Sequence, residues 1–264
     1  MSLVPRSAAI VLGHASFAVA VYLFLGWLWS LRRRDASVVD ILWGPGFALI
    51  AAAGVVYGAG VRSRKWLVLI LVTLWAARLA LHIARRNLGH GEDYRYRAMR
   101  ERHGVRFAWV SLVTVFALQG ALMLFIGQPL LLATAVPGPE LGGWDLAGIA
   151  VFVAGFLFEA IGDEQLRRFK ADRANAGKVM DRGLWRYTRH PNYFGDALLW
   201  WGFYLVACAV PGGAWTISGP LLMTFFLLKV SGVALLEKGL VRSKPQYAAY
   251  IARTSAFLPW FPRS

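Results

Sequence analysis

Seven stretches of mostly apolar residues, at 8–31, 38–57, 66–83, 108–135, 144–161, 194–210 and 215–236, dominate the chain. Each approaches the roughly twenty residues that a helix needs to cross about 30 Å of hydrocarbon. In lipid the backbone must satisfy its own hydrogen bonds, so segments of this length cross as helices. The expected fold is all-α, a polytopic integral membrane protein with about seven transmembrane helices. Composition agrees, with 58% hydrophobic residues and a mean hydropathy of +0.50, more apolar than an ordinary soluble domain. The run 108–135 is long enough to be tilted or broken near Gly127 and Pro129. Met1 to Ser7, which contain LVPRS, read as an expression-tag remnant, leaving 8–264 as a single membrane domain.

The 29 Lys and Arg outnumber the 14 Asp and Glu, and 23 of the 29 fall in 32–37, 84–107, 162–193 and the tail after the last run. The segments 136–143 and 211–214 have none, while 58–65 carries Arg62, Arg64 and Lys65. Basic loops stay on the cytoplasmic side. An odd number of spans with the N-terminus outside puts all four rich segments inside. The single cysteine, Cys208, excludes a disulfide framework. The five histidines show no ligand spacing beside carboxylates, so no metal is expected.

Polar residues within or at the ends of apolar runs each raise a functional question, and here they are Asp40, Arg78, Gln119, Glu159, Asp196, Lys229 and Glu237. Arg78 and Lys229 would equally pair with a neighbouring acid or snorkel to the interface. Asp40 precedes Gly44-Pro45-Gly46, a sequence expected to break the second helix and open a cavity; as a plain helix N-cap it would look the same. The loop 89–97 mixes acids, arginines and the tyrosines Tyr94 and Tyr96, as an interfacial helix would. The densest cluster is 181–196, where Pro191 forces His190 to be extended and Tyr187, Arg189, His190, Asn192 and Asp196 enter the sixth run together. Upstream, Glu159, Asp163, Arg167 and Lys170 are spaced to share a helical face, as they would on a salt-bridged helix extension. So many donors around one loop point to a phosphate-bearing cofactor.

The segment GLWRYTRHPNYFGD follows the Asp163/Arg167/Lys170 helix and precedes LLEKGL, Tyr247, Tyr250 and FLPWFP. The combination resembles the C-terminal domain of membrane steroid 5α-reductases, the 3-oxo-5α-steroid 4-dehydrogenases. It is most similar to their bacterial, DUF1295-like relatives, which also carry DILWGPG and GHGEDYRY segments. The resemblance covers about Asp40 to Pro262. It implies NADPH in a cytoplasm-facing cavity formed by the region 144–264. By motif position, Glu159, Asp163, Arg167, Lys170, Lys178, Tyr187, Arg189, His190, Asn192, Asp196 and Glu237 would bind the cofactor. The family's carbonyl-side glutamate falls at Asp40, a shorter acid. Its tyrosine has no clean match, since Ile83 takes the nearest place, and Tyr94 or Tyr96 stands in.

The activity implied is NADPH-dependent reduction of the C4–C5 double bond of a 3-oxo-Δ4-steroid or similar lipophilic enone. Asp40 with a tyrosine would stabilise the enolate oxygen, and a protonated Asp40 in an apolar pocket would fit that role. The alternative is an S-adenosylmethionine-dependent membrane methyltransferase of the isoprenylcysteine or phospholipid type, which shares the RHPNY-type pocket. The cations around 167–189 favour NADPH. A lipid-binding or transport protein rests only on the span count, because no inverted repeat is visible. The expected partners are the lipophilic substrate and membrane lipid, with no nucleic acid.

Overall fold

The computed structural model describes residues 6–230, 233, 237, 239–241 and 244–263. The first five residues of the tag-like segment, Lys238 and Arg242 of the basic tail, and part of LLEKGL lie outside the described residues. The long helices are α1 (Arg6–Arg33), α2 (Val38–Tyr57) and α3 (Arg62–Asn87), then α4 (Tyr94–His103), α5 (Phe107–Ser111), α6 (Leu118–Ile126) and α7 (Gln128–Ala135). They continue as α8 (Gly143–Ala171), α9 (Pro191–Ala207), α10 (Ser218–Phe225) and α11 (Tyr247–Arg253). Among the described residues there is no strand. Six described stretches are long and apolar enough to cross a membrane: α1, α2, α3, Tyr94–Ile126, α8 and Gly213–Val230. The sixth apolar run of the sequence forms α9, whose 17 residues lie at the short end of what spans a bilayer. The protein is a polytopic helical membrane protein.

The chain forms two compact units, one of residues 1–145 and 207–216, the other of 146–206 and 217–264. In the first, α2 is central, touching α1, α3, α6 and α7, and its small residues explain why. A side-chain carbon added at Gly44 would lie 3.0 Å from the Ala76 backbone of α3, and one at Gly46 would strike the Met123 side chain of α6. Without such substitutions the backbones approach closely, which is how helices associate in lipid. The expected break at Gly44-Pro45-Gly46 does not occur. α2 runs on with Pro45 inside it, and the flanking glycines serve packing rather than a cavity. Nearby, the Tyr22 hydroxyl donates to the Leu42 carbonyl at 3.3 Å, extra bonding close to where proline removes a donor. The break expected near Gly127 and Pro129 is present: α6 ends at Ile126 and α7 starts at Gln128.

At the far end of α2, two of the three cations in 58–65 are used internally. Arg64, fully buried, meets Asp145 at 2.7 Å and also donates to the carbonyls of Pro139 and Glu140. The Lys65 amine donates to the carbonyls of Val55 and Gly58 at 2.9 and 3.0 Å, closing the last turn of α2.

In the second unit, α8 and α9 meet along glycines. Gly148, Gly155 and Gly162 recur every seven residues on α8, as Gly195 and Gly202 do on α9, and each faces the other helix. A side-chain carbon at Gly202 would lie 2.7 Å from the Phe152 nitrogen, and one at Gly162 would lie 3.2 Å from the Asn192 nitrogen. The seven-residue step keeps one stripe of each helix at the contact. The loop after α8 is tied back by the Trp185 indole donating to the Gly162 carbonyl at 3.0 Å, and by the Tyr250 phenol donating to the Trp185 carbonyl.

Gly155→Val should therefore force α8 from α9 and lower the melting temperature of the solubilised protein, by the equivalent of about 1–3 kcal/mol or more. Gly143→Ala, where nothing lies within 4 Å of the added carbon, is the control expected to melt like the parent. Equal melting temperatures would show that the glycine contact is not limiting.

Candidate functional site

Each unit carries its own polar cluster. In the first, Asp40 is the third residue of α2, inside its first turn, so it is not the N-cap that its position also suggested. Its carboxylate instead reaches the loop and helix that follow α3. It accepts from the Tyr96 hydroxyl at 2.8 Å and from the Arg95 guanidinium at 3.1 Å. Arg95 is held from its other side by Asp93 at 2.9 Å. Asp93 also caps α4, accepting from the Arg95 backbone amide at 3.0 Å. Gly89 and Gly91, with φ of +85° and +81°, supply the left-handed turns that bring this segment around. Of the two candidate tyrosines, Tyr96 is buried against Asp40, whereas Tyr94 is 65% exposed and is not part of the cluster. Sequence alone assigned Arg95 no role; the signal was an arginine between an acid and a tyrosine at the start of α4.

The loop before this cluster is latched by Glu92, which accepts from the Ala36 amide at 2.7 Å and from both arms of the Arg100 fork at 2.8 Å. Burial alone would raise its carboxyl, but the Arg100 fork and the Ala36 amide outweigh that and hold it below its ordinary 4.5.

The second cluster lies where α8, the 183–190 segment and α9 meet. Asp163, buried on α8, accepts from the Asn192 side-chain amide of α9 at 2.9 Å. The Asn192 carbonyl oxygen is buried and has no hydrogen-bond partner among the described residues. Glu159, one turn before Asp163, is also buried, and Asp196 lies one turn beyond Asn192. The glycine contact sets this geometry, because Gly162 abuts Pro191 and the Asn192 backbone.

The other predicted cofactor residues divide into two groups. Arg189 pairs with Glu237 at 2.7 Å, donates to the carbonyls of Ile251 and Thr254, and is buried. His190 also contacts Glu237, at 3.1 Å, and stacks on Tyr193. These three residues form a closed knot that fixes the entry to α9. Arg167, Lys170 and Lys178 are exposed, and Arg167 pairs with Glu164 on its own helix at 2.7 Å. Tyr187, part-exposed, sits edge-on to Phe261. The structure thus gathers Glu159, Asp163, Asn192 and Asp196, leaves Arg167, Lys170 and Lys178 at the surface, and buries Arg189.

A nicotinamide nucleotide suits this set. The unpartnered buried acceptor of Asn192 and two buried carboxylates match amide and hydroxyl donors, and exposed cations at the helix end match phosphates.

A family model described as "Protein of unknown function (DUF1295)" matches residues 26–254, and the chain belongs to that family. An uncharacterized protein of Schizosaccharomyces pombe is 26% identical over 88% of this chain and 75% of its own length. The 3-oxo-5-alpha-steroid 4-dehydrogenase 1 of Macaca fascicularis is 32% identical over 26% of this chain and 26% of its own. The Bos taurus protein of that name is 29% identical over 27% of this chain and 28% of its own. The chain thus spans about a quarter of the length of these dehydrogenases. No solved structure matches.

A carboxyl depressed in the folded state stabilises it fully above the ordinary value, and that contribution disappears as pH falls through the depressed one. The Glu92 latch should therefore still hold at pH 4.5, its ordinary midpoint, and open in stronger acid. Hydrogen exchange of the peptide containing Ala36 checks this. Protection in the parent should persist at that pH, and Glu92→Gln should lower it and flatten its dependence on acid.

Proposed function

We propose that this chain is an NADPH-dependent ene-reductase of a multi-pass membrane, reducing the C4–C5 double bond of a 3-oxo-Δ4-steroid or similar lipophilic enone. The observation that carries the reading is the buried Asp163–Asn192 pair with its open Asn192 acceptor. It sits in the segment whose motifs resemble the steroid reductases, and the partial similarity to two 3-oxo-5-alpha-steroid 4-dehydrogenases points the same way.

In this reading Asn192, Asp163, Glu159 and Asp196 hold the polar parts of the nucleotide. Arg167, Lys170 and Lys178 meet its phosphates, and Arg189, His190 and Glu237 fix the α9 entry. When bound, NADPH supplies the hydride that the β-carbon of the enone must receive. The chain stabilises the charge that results, and the α-carbon of the enolate then takes a proton from solvent, so that the product gains one hydride and one proton. Tyr96 donates to the developing enolate oxygen, Asp40 orients the phenol, and Arg95 holds Asp40 in place while the phenol turns. Such donors have most effect where water is kept from the oxygen they stabilise.

Purified protein with progesterone or testosterone should oxidise NADPH and give a product heavier by two hydrogens. Asn192→Ala should weaken NADPH binding by about 1–3 kcal/mol without unfolding the protein. Asp40→Asn should bind NADPH like the parent and turn over slowly; unchanged turnover would remove Asp40 from the mechanism. Binding of S-adenosylmethionine in place of NADPH would favour the methyltransferase alternative.

For topology we propose that the N-terminus is outside, that 84–107 and 162–193 are cytoplasmic, and that the membrane is a bacterial inner membrane. The internal use of Arg64 and Lys65 supports this, since only exposed Arg62 remains to oppose the loop asymmetry. A reporter fused after Ser264 should be active only in the cytoplasm, and periplasmic activity would reverse the assignment.

A further inference from the structure

The last residues of the chain carry apolar side chains outward from a backbone that is firmly held. The Trp260 amide donates to the Tyr187 carbonyl at 2.9 Å, Thr188 donates through its hydroxyl to Phe257 at 2.9 Å, and the Arg263 amide donates to the Arg253 carbonyl at 2.8 Å. Leu258, Trp260 and Phe261 are nevertheless 66%, 72% and 76% exposed. A fixed backbone that presents three large apolar groups to water carries a cost that a partner would remove.

Beside them is a surface pocket of about 420 Å³ lined by Asp181, Arg182, Gly183, Arg186, Arg253, Thr254 and Pro262. Arg253 pairs with Asp181 at 2.6 Å. Arg182 and Arg186 are exposed and make no side-chain hydrogen bond to a described residue. Three arginines face one acid, so the pocket attracts anions. Its height relative to lipid follows from the helices. α8 ends at Ala171 and α9 begins at Pro191, so the segment between them lies at the end of two membrane-level helices.

We propose that this face is a binding site for anionic phospholipid. The headgroup phosphate sits among Arg182, Arg186 and Arg253, while Leu258, Trp260 and Phe261 enter the interfacial layer beside it. Tryptophan is a residue that the lipid boundary selects, and arginine forks match phosphate oxygens. The charge of the pocket and the apolar rim are both accounted for by this one occupant, whereas a soluble phosphate compound would leave the rim unexplained. None of the residues lining the pocket is among those assigned above to the nucleotide or substrate, although Phe261 packs edge-on against Tyr187 and Arg189 donates to the Thr254 carbonyl.

The test uses the full chain in detergent, with dioleoyl phosphatidylglycerol or phosphatidylcholine added and bound lipids counted by native mass spectrometry. The parent should retain phosphatidylglycerol preferentially. The Arg182→Gln/Arg186→Gln variant should bind it roughly ten- to thirtyfold more weakly, given the usual contribution of each cation near an anionic surface. Trp260→Ala/Phe261→Ala should weaken both lipids alike. NADPH binding should be the same in all three proteins, whatever the outcome for the proposed reduction. Undiminished phosphatidylglycerol binding by the arginine variant would overturn the proposal. So would displacement of the lipid from the parent by NADPH or inorganic phosphate, which would give the pocket to a soluble anion.

Discussion

Hydrocarbon removes the force that assembles soluble helices, because lipid tails are as apolar as the side chains they would leave. What remains is close contact, and in the second unit that contact is the glycine stripe between α8 and α9. Its consequences reach the candidate site. Because Gly162 admits Pro191 and the Asn192 backbone, the Asn192 amide arrives within 2.9 Å of Asp163. A larger residue at 162 would displace a polar pair, not merely loosen two helices. Packing and chemistry share one set of atoms here, which is why small residues recur where a reader looking for function would see only spacing.

Charges in this chain follow two regimes. Arg64 with Asp145 is buried, Arg189 and His190 are buried against the half-buried Glu237, and all are multiply bonded. Removing one partner of such a pair strands the other in a dry place, at a cost far above the net value of the pair. Arg167, Arg168 and Glu164 lie at the exposed end of α8, where exposed pairs contribute little. The RHP motif thus supplies structure at Arg189 and His190, while the neighbouring Asn192 keeps an acceptor open. Adjacent residues of one motif do different work, and burial with bonding separates them.

The helical architecture was legible because length and hydropathy alone decide what can cross lipid. The break at Gly127 was legible for the same reason that Gly44-Pro45-Gly46 misled: both place a glycine within two residues of a proline, and sequence does not say whether a neighbour fills the gap. At Gly46 it does, with Met123, and the helix continues. The glycine register of α8 was present in the sequence as a seven-residue period, but only a partner helix gives it meaning. Tyr94 and Tyr96 were inseparable in the sequence because helix rotation, set by the Asp93 cap and the preceding turns, chooses which faces Asp40. The fate of Arg189 depends on carbonyls of Ile251 and Thr254, more than sixty residues away, and no local pattern carries that.

The closed Asp40–Tyr96 bond has a bearing on the proposed reduction. In the proposed reduction Asp40, which accepts from both Arg95 and Tyr96, acts as an acceptor in place of the protonated donor considered for it above, and it holds the phenol more strongly than the neutral carbonyl of an enone would. As hydride arrives at the β-carbon, charge collects on the carbonyl oxygen until it rivals the carboxylate. The phenol then has two comparable acceptors, and its gain from turning to the substrate exists only near the transition state. An interaction absent from the bound substrate and present at the barrier is the kind that accelerates a reaction instead of merely tightening binding. The salt bridge from Arg95 contributes to this balance by partly neutralising Asp40 and lowering its hold on the phenol. Asp93, which grips Arg95 at 2.9 Å, keeps that influence in place. In the proposed reduction the two acids and the arginine would thus set the threshold at which Tyr96 changes partner.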